Sequence, residues 1–580
     1  MLKLYSQFLK NYKGRVALVV IALFASTLAT LLLPLLSKKI IDDGISGEKT
    51  DMIIGVGVVM LAAVLVGVAV NITGNYISSG VSMGFSRDLR KGIFLKISNL
   101  SQGDIEEIGA ASLIGRETND ISQMQQALVQ MLQVMLIAPI MCIGGIIAAL
   151  MTAPSLAWIV AAIIPVTLVL IVFVMTKASP LFKLNQVKLD TVNRTIREAL
   201  NGMRVIRAFN NEQRETDRFS EANFSLTDTA IKANKYIMSL MPAMMLLING
   251  ANILILCFGG HSMEDGTVSY GDVQAFIQYV SMILMSVMMC TMLLIIIPRA
   301  GASAARINEV LDKVPSIEDP ESPAVVPEGT PAALSFKNVS FRYPGAEGNV
   351  LTDISFDAKA GETIAIIGGT GSGKTTLINL IPRFYDVTEG SVTVDGVDVR
   401  QLSQTDLRNR LSVVSQKSFL FSGTIAENVA YGKENATAEE ISHALEVSQS
   451  MEFVSEKDYG IYSYITQSGS NVSGGQRQRL SIARALVRKP EIYIFDDSFS
   501  ALDFKTDSRL RKALKKEIKS SILLIVAQRV GTIMDADRIL VMENGRVVGS
   551  GTHKELLKTC EVYREIALSQ LSESEVNGDA

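Results

Sequence analysis

Six long apolar stretches constrain this 580-residue chain more than anything else in it. A bilayer's hydrocarbon layer, about 30 Å thick, is crossed by a helix of roughly 20 apolar residues. Residues 16–36, 52–72, 128–151, 155–176, 238–259 and 276–297 each meet that requirement. Hydrocarbon offers no water to backbone N–H and C=O groups, so each stretch is expected to be helical. "TAPS" (152–155) has room only for a tight turn, which predicts a hairpin of the third and fourth spans. Two gaps are long, 83–122 with five Lys/Arg and 177–235 with eleven, whereas the loop 259–272 has none. By the positive-inside rule both long gaps and both termini are cytoplasmic. Lys10, Lys13 and Arg15 agree. Few breakers interrupt the gaps, so the membrane helices are expected to run on into the cytoplasm. Apolar Leu2, Leu4, Tyr5, Phe8 and Leu9 predict a helix lying along the interface over residues 1–13. The charged start and the long apolar run after it do not fit a signal peptide.

A net charge of −3 implies no bulk polyanion such as nucleic acid as partner. Cys142, Cys257, Cys290 and Cys560 have no metal-ligand spacing and read as small buried hydrophobes. The Pro-rich stretch 314–333 reads as a linker. It separates a membrane half, 1–313, from a soluble half, 334–570, with 571–580 left as a tail. The expected fold class is therefore a six-span α-helical membrane domain fused to an α/β P-loop nucleotide-binding domain.

That second assignment rests on "IAIIGGTGSGKTTLINLI" (364–381), an apolar strand, a Gly-rich loop and the start of a helix. The loop Gly368, Gly369, Thr370, Gly371, Ser372, Gly373, Lys374, Thr375, with Thr376 following, fits G-x-x-x-x-G-K-[ST]. Glycines let backbone N–H groups crowd phosphate oxygens, and the helix N-terminus favours their charge. Lys374 is expected at the β/γ-phosphates and the Thr375 hydroxyl on Mg²⁺, which makes ATP and Mg²⁺ the expected cofactors. "IYIFDD" (492–497) reads as a second buried strand, and Asp496 at its end suits the Mg²⁺ shell. In between, "SNVSGGQRQRLSIARAL" (470–486) sets Ser and Gly anion donors before a basic helix.

Over nearly its whole length the chain resembles a half-transporter of the ATP-binding cassette (ABC) exporter family. The resemblance implies that Tyr343 in "FRYPG" stacks on adenine and that Gln416 touches Mg²⁺ and the attacking water. Ser473, Gly474, Gly475 and Gln476 correspond to the signature, which serves the nucleotide held by a partner cassette. "SALD", ending at Asp503, corresponds to the loop that crosses to that partner. "GRETND" (115–120) and "LNGMRVIRAFNNE" (200–212) resemble the patterns of two cytoplasmic loops, each with a short helix that docks on a cassette.

Two positions depart from the family. Its general base is usually Glu, but here it is Asp497, one methylene shorter. A base must come within about 3 Å of the proton it takes, and about 1 Å of misplacement costs about 100-fold in rate. The switch His is replaced by Gln528, which hydrogen-bonds but carries no charge. His261, His443 and His553 lie elsewhere in the pattern. Gln467-Ser468, where the family commonly has Glu-Arg, also resembles the weaker member of a pair. These departures imply a degenerate site that binds ATP and hydrolyses it slowly. The implied partner is a non-identical half-transporter with Glu after its Walker B Asp and a switch His. The expected activity is an ABC-type ATPase driving export of amphipathic, drug-like molecules across the plasma or inner membrane. A lipid or peptide exporter, or an ATP-gated channel or regulatory subunit, are the alternatives. Met282, Met285, Met289 and Met292 share one helix face, with Met238, Met241, Met244, Met245 and Met288 nearby. Gln126, Gln130, Gln133, Asn249, Asn252, Gln274 and Gln278 lie in or beside the spans. Both sets suit either helix packing or a cavity lining.

Overall fold

The computed structural model describes residues 1–327 and 329–571, the side chains of Met292, Leu294 and Ile295 excepted. Met292 of the methionine face and residues 572–580 of the tail lie outside the described residues. Two compact units result, Met1–Ser98 with Ala111–Lys313, and Asn99–Ala110 with the chain from Val314 onward.

In chain order the first helices are α1 (Leu2–Phe8), α2 (Lys13–Lys39), α3 (Thr50–Ser98), α4 (Gln102–Ile108) and α5 (Ala110–Gly115). After them come α6 (Ile121–Thr152), α7 (Ala157–Asn201), α8 (Met203–Ala208), α9 (Glu212–Glu264) and α10 (Tyr270–Asp312). All but α4 and the first residue of α5 fall in the first unit. Among the described residues six helical runs are long and apolar enough to cross a membrane, and each expected span lies inside one. With 49 residues in α3 and 53 in α9, these helices continue about 40–50 Å beyond a single span at ~1.5 Å per residue. Pro34, Pro139, Pro165, Pro180, Pro242 and Pro298 sit within helices. Membrane helices tolerate this because neighbouring groups re-satisfy the freed carbonyls.

The expected hairpin is corrected. Pro154–Leu156 does make a tight 3₁₀ turn between α6 and α7, but α6 packs mainly on α10 and α7 on α9. Packing follows small residues. A Cβ added at Gly145 would stand 2.9 Å from Ile283, and one at Gly74 3.3 Å from Ala22, so α6–α10 and α2–α3 approach closely. The cysteine reading is corrected too. Cys560 is buried, but Cys257 is exposed on α9, where a small apolar group suits hydrocarbon as well as a core. Met244 is buried and Met282 and Met288 pack on its cluster, while Met238, Met241, Met245 and Met285 are exposed. In α1, Leu4 and Tyr5 are buried. The Tyr5 hydroxyl donates to the Met124 carbonyl at 3.0 Å.

Two π-helical turns, Ile40–Ile45 and Arg116–Asp120, each bring an acid to α10. Asp42 accepts from the Ser269 hydroxyl at 2.5 Å and the Gly271 N–H at 2.8 Å. Asp120 accepts from Ser303 Oγ at 2.9 Å and Arg306 Nε at 2.8 Å. Arg116 donates to the Arg306 carbonyl at 2.9 Å and pairs with Glu309 at 3.0 Å. The GRETND segment thus fastens the start of α6 to the far end of α10.

The second unit is built from β1 (Ala333–Phe341), β2 (Leu351–Lys359), β3 (Thr363–Gly368), α11 (Lys374–Asn379), β4 (Glu389–Val394), β5 (Val397–Asp398), α12 (Gln404–Asn409) and β6 (Leu411–Val414). A helical insertion follows: β7 (Gly423–Thr424), α13 (Ile425–Ala430), α14 (Ala438–Val447), α15 (Met451–Ser455), β8 (Tyr464–Ile465) and α16 (Gly474–Arg488). The chain then returns through β9 (Ile492–Asp496), α17 (Phe504–Glu517), β10 (Ile522–Val526), α18 (Val530–Ile533), β11 (Arg538–Glu543), β12 (Arg546–Gly551), α19 (His553–Thr559) and α20 (Glu561–Leu568). The central sheet has the order β12-β11-β3-β10-β9-β6, parallel except for β12. An antiparallel sheet, β2-β1-β4-β5, covers one face. Ile364, Ile366, Ile492 and Ile494 join the core on that side, and Ala365, Ile367, Tyr493 and Phe495 the helical core on the other. Both faces are covered, so the strands read as unbroken apolar runs. The Pro-rich stretch lies on this unit. The Ala324 N–H donates to the Gln401 carbonyl at 2.9 Å, and Gln404 donates to Asp319 at 3.0 Å.

Replacing Asp120 with Ala strips Arg306 of its partner. Arg306 is half exposed, so water recovers part of the loss, and the expected cost is about 1–2 kcal/mol. The melting midpoint of the purified chain in detergent should fall, with Asp120→Asn in between. An unchanged midpoint for Asp120→Ala would show that the network does not hold α10.

Candidate functional site

The site forms where β3 and β9 end. Between them β10 pairs Val526 with Ile366 on one side and with Asp496 on the other, so the Gly-rich loop and the acidic pair emerge at one level. The loop needs its glycines. Gly371 and Gly373 have φ of 82° and 96°, a region that L side chains avoid. A Cβ on Gly368 would lie 2.1 Å from the Met542 carbonyl oxygen. At the start of α11, Lys374 Nζ donates to the Gly368 and Gly369 carbonyls at 2.9 and 2.8 Å. Burial lowers the Lys374 pKa, and Asp496 and Asp497 oppose the shift. A cradle of glycine backbone closed by a half-buried ammonium fits a polyphosphate.

Thr375 Oγ1 donates to Asp496 Oδ2 at 3.1 Å and to Oδ1 at 3.3 Å. Burial raises the Asp496 pKa, which Thr375 and Lys374 counter and Asp497 reinforces. Among the described residues no cluster of three His, Cys, Asp or Glu exists to hold a metal. One hydroxyl and one carboxylate fit Mg²⁺, which takes few protein ligands and shares the rest with phosphate oxygens and water. Thr375 and Asp496 would hold that ion, and it would supply positive charge to the phosphates.

Asp497 leaves the strand with φ 46°, and its N–H donates to the Val526 carbonyl at 2.9 Å. Its Oδ2 accepts two side-chain amides, Gln528 Nε2 at 3.0 Å and Gln416 Nε2 at 3.2 Å. Both departures identified in the sequence therefore meet at one oxygen. Gln416, expected on metal and water, directs its amide to Asp497.

Tyr343, expected on adenine, shares a hydrogen bond at 3.1 Å with Thr376. Its ring stands edge-on to Tyr385 at 5.2 Å. Tyr385 was not legible as a site residue. Its hydroxyl donates to Glu106 of α4 at 2.7 Å, and burial together with that bond raises its pKa. Nothing local in "RFYD" (383–386) signals a partner so distant in sequence.

The signature residues stand at the exposed start of α16. The Gln476 N–H donates to Ser473 Oγ at 3.2 Å and the Ser473 N–H to Gln476 Oε1 at 3.0 Å, a capping box. That leaves the helix N-terminus facing outward. Gly475 lies beside the SALD segment, since a Cβ there would stand 3.1 Å from the Ala501 carbonyl oxygen. Asp503 caps α17 by accepting from the Thr506 N–H at 2.9 Å, and this bonding lowers its pKa.

The family model for the ABC transporter transmembrane region matches residues 16–287, and the ABC transporter model matches 351–500. The chain is 40% identical, over the full length of both, to an uncharacterized ABC transporter ATP-binding protein of Mycobacterium tuberculosis. It is 30% identical to a putative multidrug export ATP-binding/permease protein of Bacillus subtilis, over 97% of this chain and 98% of that one. The structure of a bacterial Atm1-family ABC exporter with ATP bound superimposes with a TM-score of 0.77 at 26% identity, covering 97% of this chain and 100% of that one.

The glycines give a sharp contrast. Gly368→Ala drives a methyl into backbone and should abolish nucleotide binding by the purified chain. A Cβ on the neighbouring Gly369 meets nothing within 4 Å, so Gly369→Ala should keep ATP affinity within about twofold. Equal losses in a titration with fluorescent ATP would refute this packing of the loop.

Proposed function

This chain belongs to the ABC transporter family, as an exporter-type half-transporter with a membrane domain and an ATP-binding domain, and from that premise we propose that it is the slow-hydrolysing member of a non-identical pair. The pair moves amphipathic small molecules out of the cytoplasm, with both termini and both long inter-span gaps on the cytoplasmic side.

The observation that carries the reading is the double amide contact on Asp497 Oδ2. A carboxylate oxygen offers two lone-pair sites, and both are taken. To act as base at that oxygen, Asp497 must first shed a donor, and its short arm keeps the carboxylate back from the phosphate side. Gln528 cannot bring the charge that a switch imidazole brings. The phosphate cradle and the Thr375–Asp496 pair are complete, so binding is retained where cleavage is weakened. The exposed signature of Ser473, Gly474, Gly475 and Gln476 then completes the partner's faster site.

Two loop segments serve coupling. Residues 99–110 group with the ATP-binding unit, and α4 meets Tyr385 there. Around α8, Val205 and Phe209 are 61% and 72% exposed, an apolar surface suited to a second chain's ATP-binding domain. Closure of two such domains on ATP shifts the balance of inward- and outward-open states. The likeness to a putative multidrug exporter, and the exposed methionines of α9 and α10, favour amphipathic cargo over a single charged one.

The test is ATPase activity of this chain alone against the pair. The lone chain should be slow, and Gly474→Glu should cut the pair's rate by about 100-fold or more by removing phosphate stabilisation at the partner's site. A Cβ at Gly474 meets open space, so the fold survives that change. Lys374→Ala should cost the pair far less. Brisk turnover by the lone chain that disappears in Asp497→Asn would sink the proposal.

A further inference from the structure

The switch loop is held from behind by the C-terminal segment. There α20 is anchored through Tyr563, fully buried, whose hydroxyl shares a hydrogen bond with His553 Nδ1 at 2.7 Å. Ala567, also buried, joins the helical core, and Leu571 packs against it. Between them Gln570 turns toward the site. Its Nε2 donates to the Gln528 carbonyl at 2.8 Å, and the Val530 N–H donates to its Oε1 at 2.8 Å. One planar amide thus bridges the backbone on both sides of Arg529. The position is otherwise uncapped, because Arg529 precedes α18 without a side-chain cap of its own. A side chain about 40 residues further along the chain supplies the missing acceptor. From the same loop, the Gln528 side chain reaches Asp497.

We propose that Gln570 is a positioning residue of the nucleotide site: by clamping the backbone at Gln528 and Val530, it holds the Gln528 side chain toward the terminal phosphate of bound ATP. The inference rests on the reading of Gln528 as the residue at the switch position. An amide suits the task because it offers a donor and an acceptor in one plane. Glu keeps the acceptor but sets a carboxylate oxygen against the Gln528 carbonyl.

The experiment compares equilibrium binding of MgATP and MgADP to the full-length chain, purified alone, as wild type, Gln528→Ala, Gln570→Ala and Gln570→Glu. ADP lacks the terminal phosphate, so it separates positioning from general loss of fold. Gln570→Ala should weaken ATP roughly fivefold, the worth of one neutral hydrogen bond, and leave ADP unchanged. Gln528→Ala should do the same, and Gln570→Glu should weaken ATP at least as much. A wild-type ATP-to-ADP ratio in Gln570→Ala, while Gln528→Ala shifts it, overturns the role of Gln570 alone. Equal weakening of ATP and ADP in Gln570→Ala also overturns it, as a structural contact only. No shift in Gln528→Ala overturns the reading of the switch position, and this inference with it. If Gln570→Ala does not fold, Gln570→Glu decides by the same ratio.

Discussion

The catalytic half depends on the register of three parallel strands. Val526 is the common reference, paired with Ile366 of the phosphate-loop strand and with Asp496 of the acidic strand. Side chains alternate along a strand, so Asp496 falls on the face of Ile492 and Ile494, the face that packs toward α11 and Thr375. A slip of one residue would turn it to the helical core instead. The apolar runs that look like mere core fix this register. Each strand feeds two different cores with alternate residues, and neither core accepts the wrong set.

From that fixed point the two neighbouring aspartates diverge. Asp496 ends the strand and meets a hydroxyl. Asp497 begins a turn at positive φ, a conformation that costs a non-glycine residue about 1 kcal/mol or more and that swings its carboxylate toward Gln416 and Gln528. The two departures from the family pattern then read as one. A shorter acid leaves space beside it, and a neutral amide at 528 fills that space by donating to the acid. A hydrogen-bond donor and its acceptor do not act independently, so the identities at 497 and 528 are best understood as a pair.

How much of this was legible follows from range. The phosphate loop was, because its chemistry is contiguous and its glycines answer to local backbone geometry. The spans were as well, because the thickness of hydrocarbon sets their length. The pairing of spans was not: "TAPS" marked the turn between α6 and α7, but which helices touch depends on where Gly145 meets Ile283 across the unit. GRETND was recognisable only as a resemblance, and its physical task lay hidden because Ser303, Arg306 and Glu309 are far along the chain. Gln570 escaped notice for the same reason. A lone glutamine after a helix carries no sign that it caps a loop some 40 residues earlier.

The short helix α4 shows how a segment can serve a unit other than the one its sequence neighbours suggest. It is strung between long membrane helices, yet its residues group with the ATP-binding unit. There Glu106 accepts from Tyr385, the Tyr385 ring abuts Tyr343, and the Tyr343 hydroxyl reaches Thr376 on the helix that follows the phosphate loop. Two aromatic rings therefore span the distance from α4 to the nucleotide cradle. Packed interiors resist compression and rearrange between discrete arrangements. A displacement of the Tyr343 ring would therefore press on Tyr385, which is bonded to α4. The contact is thus carried by residues 99–110 rather than by the spans themselves, through one hydrogen bond and two packed rings.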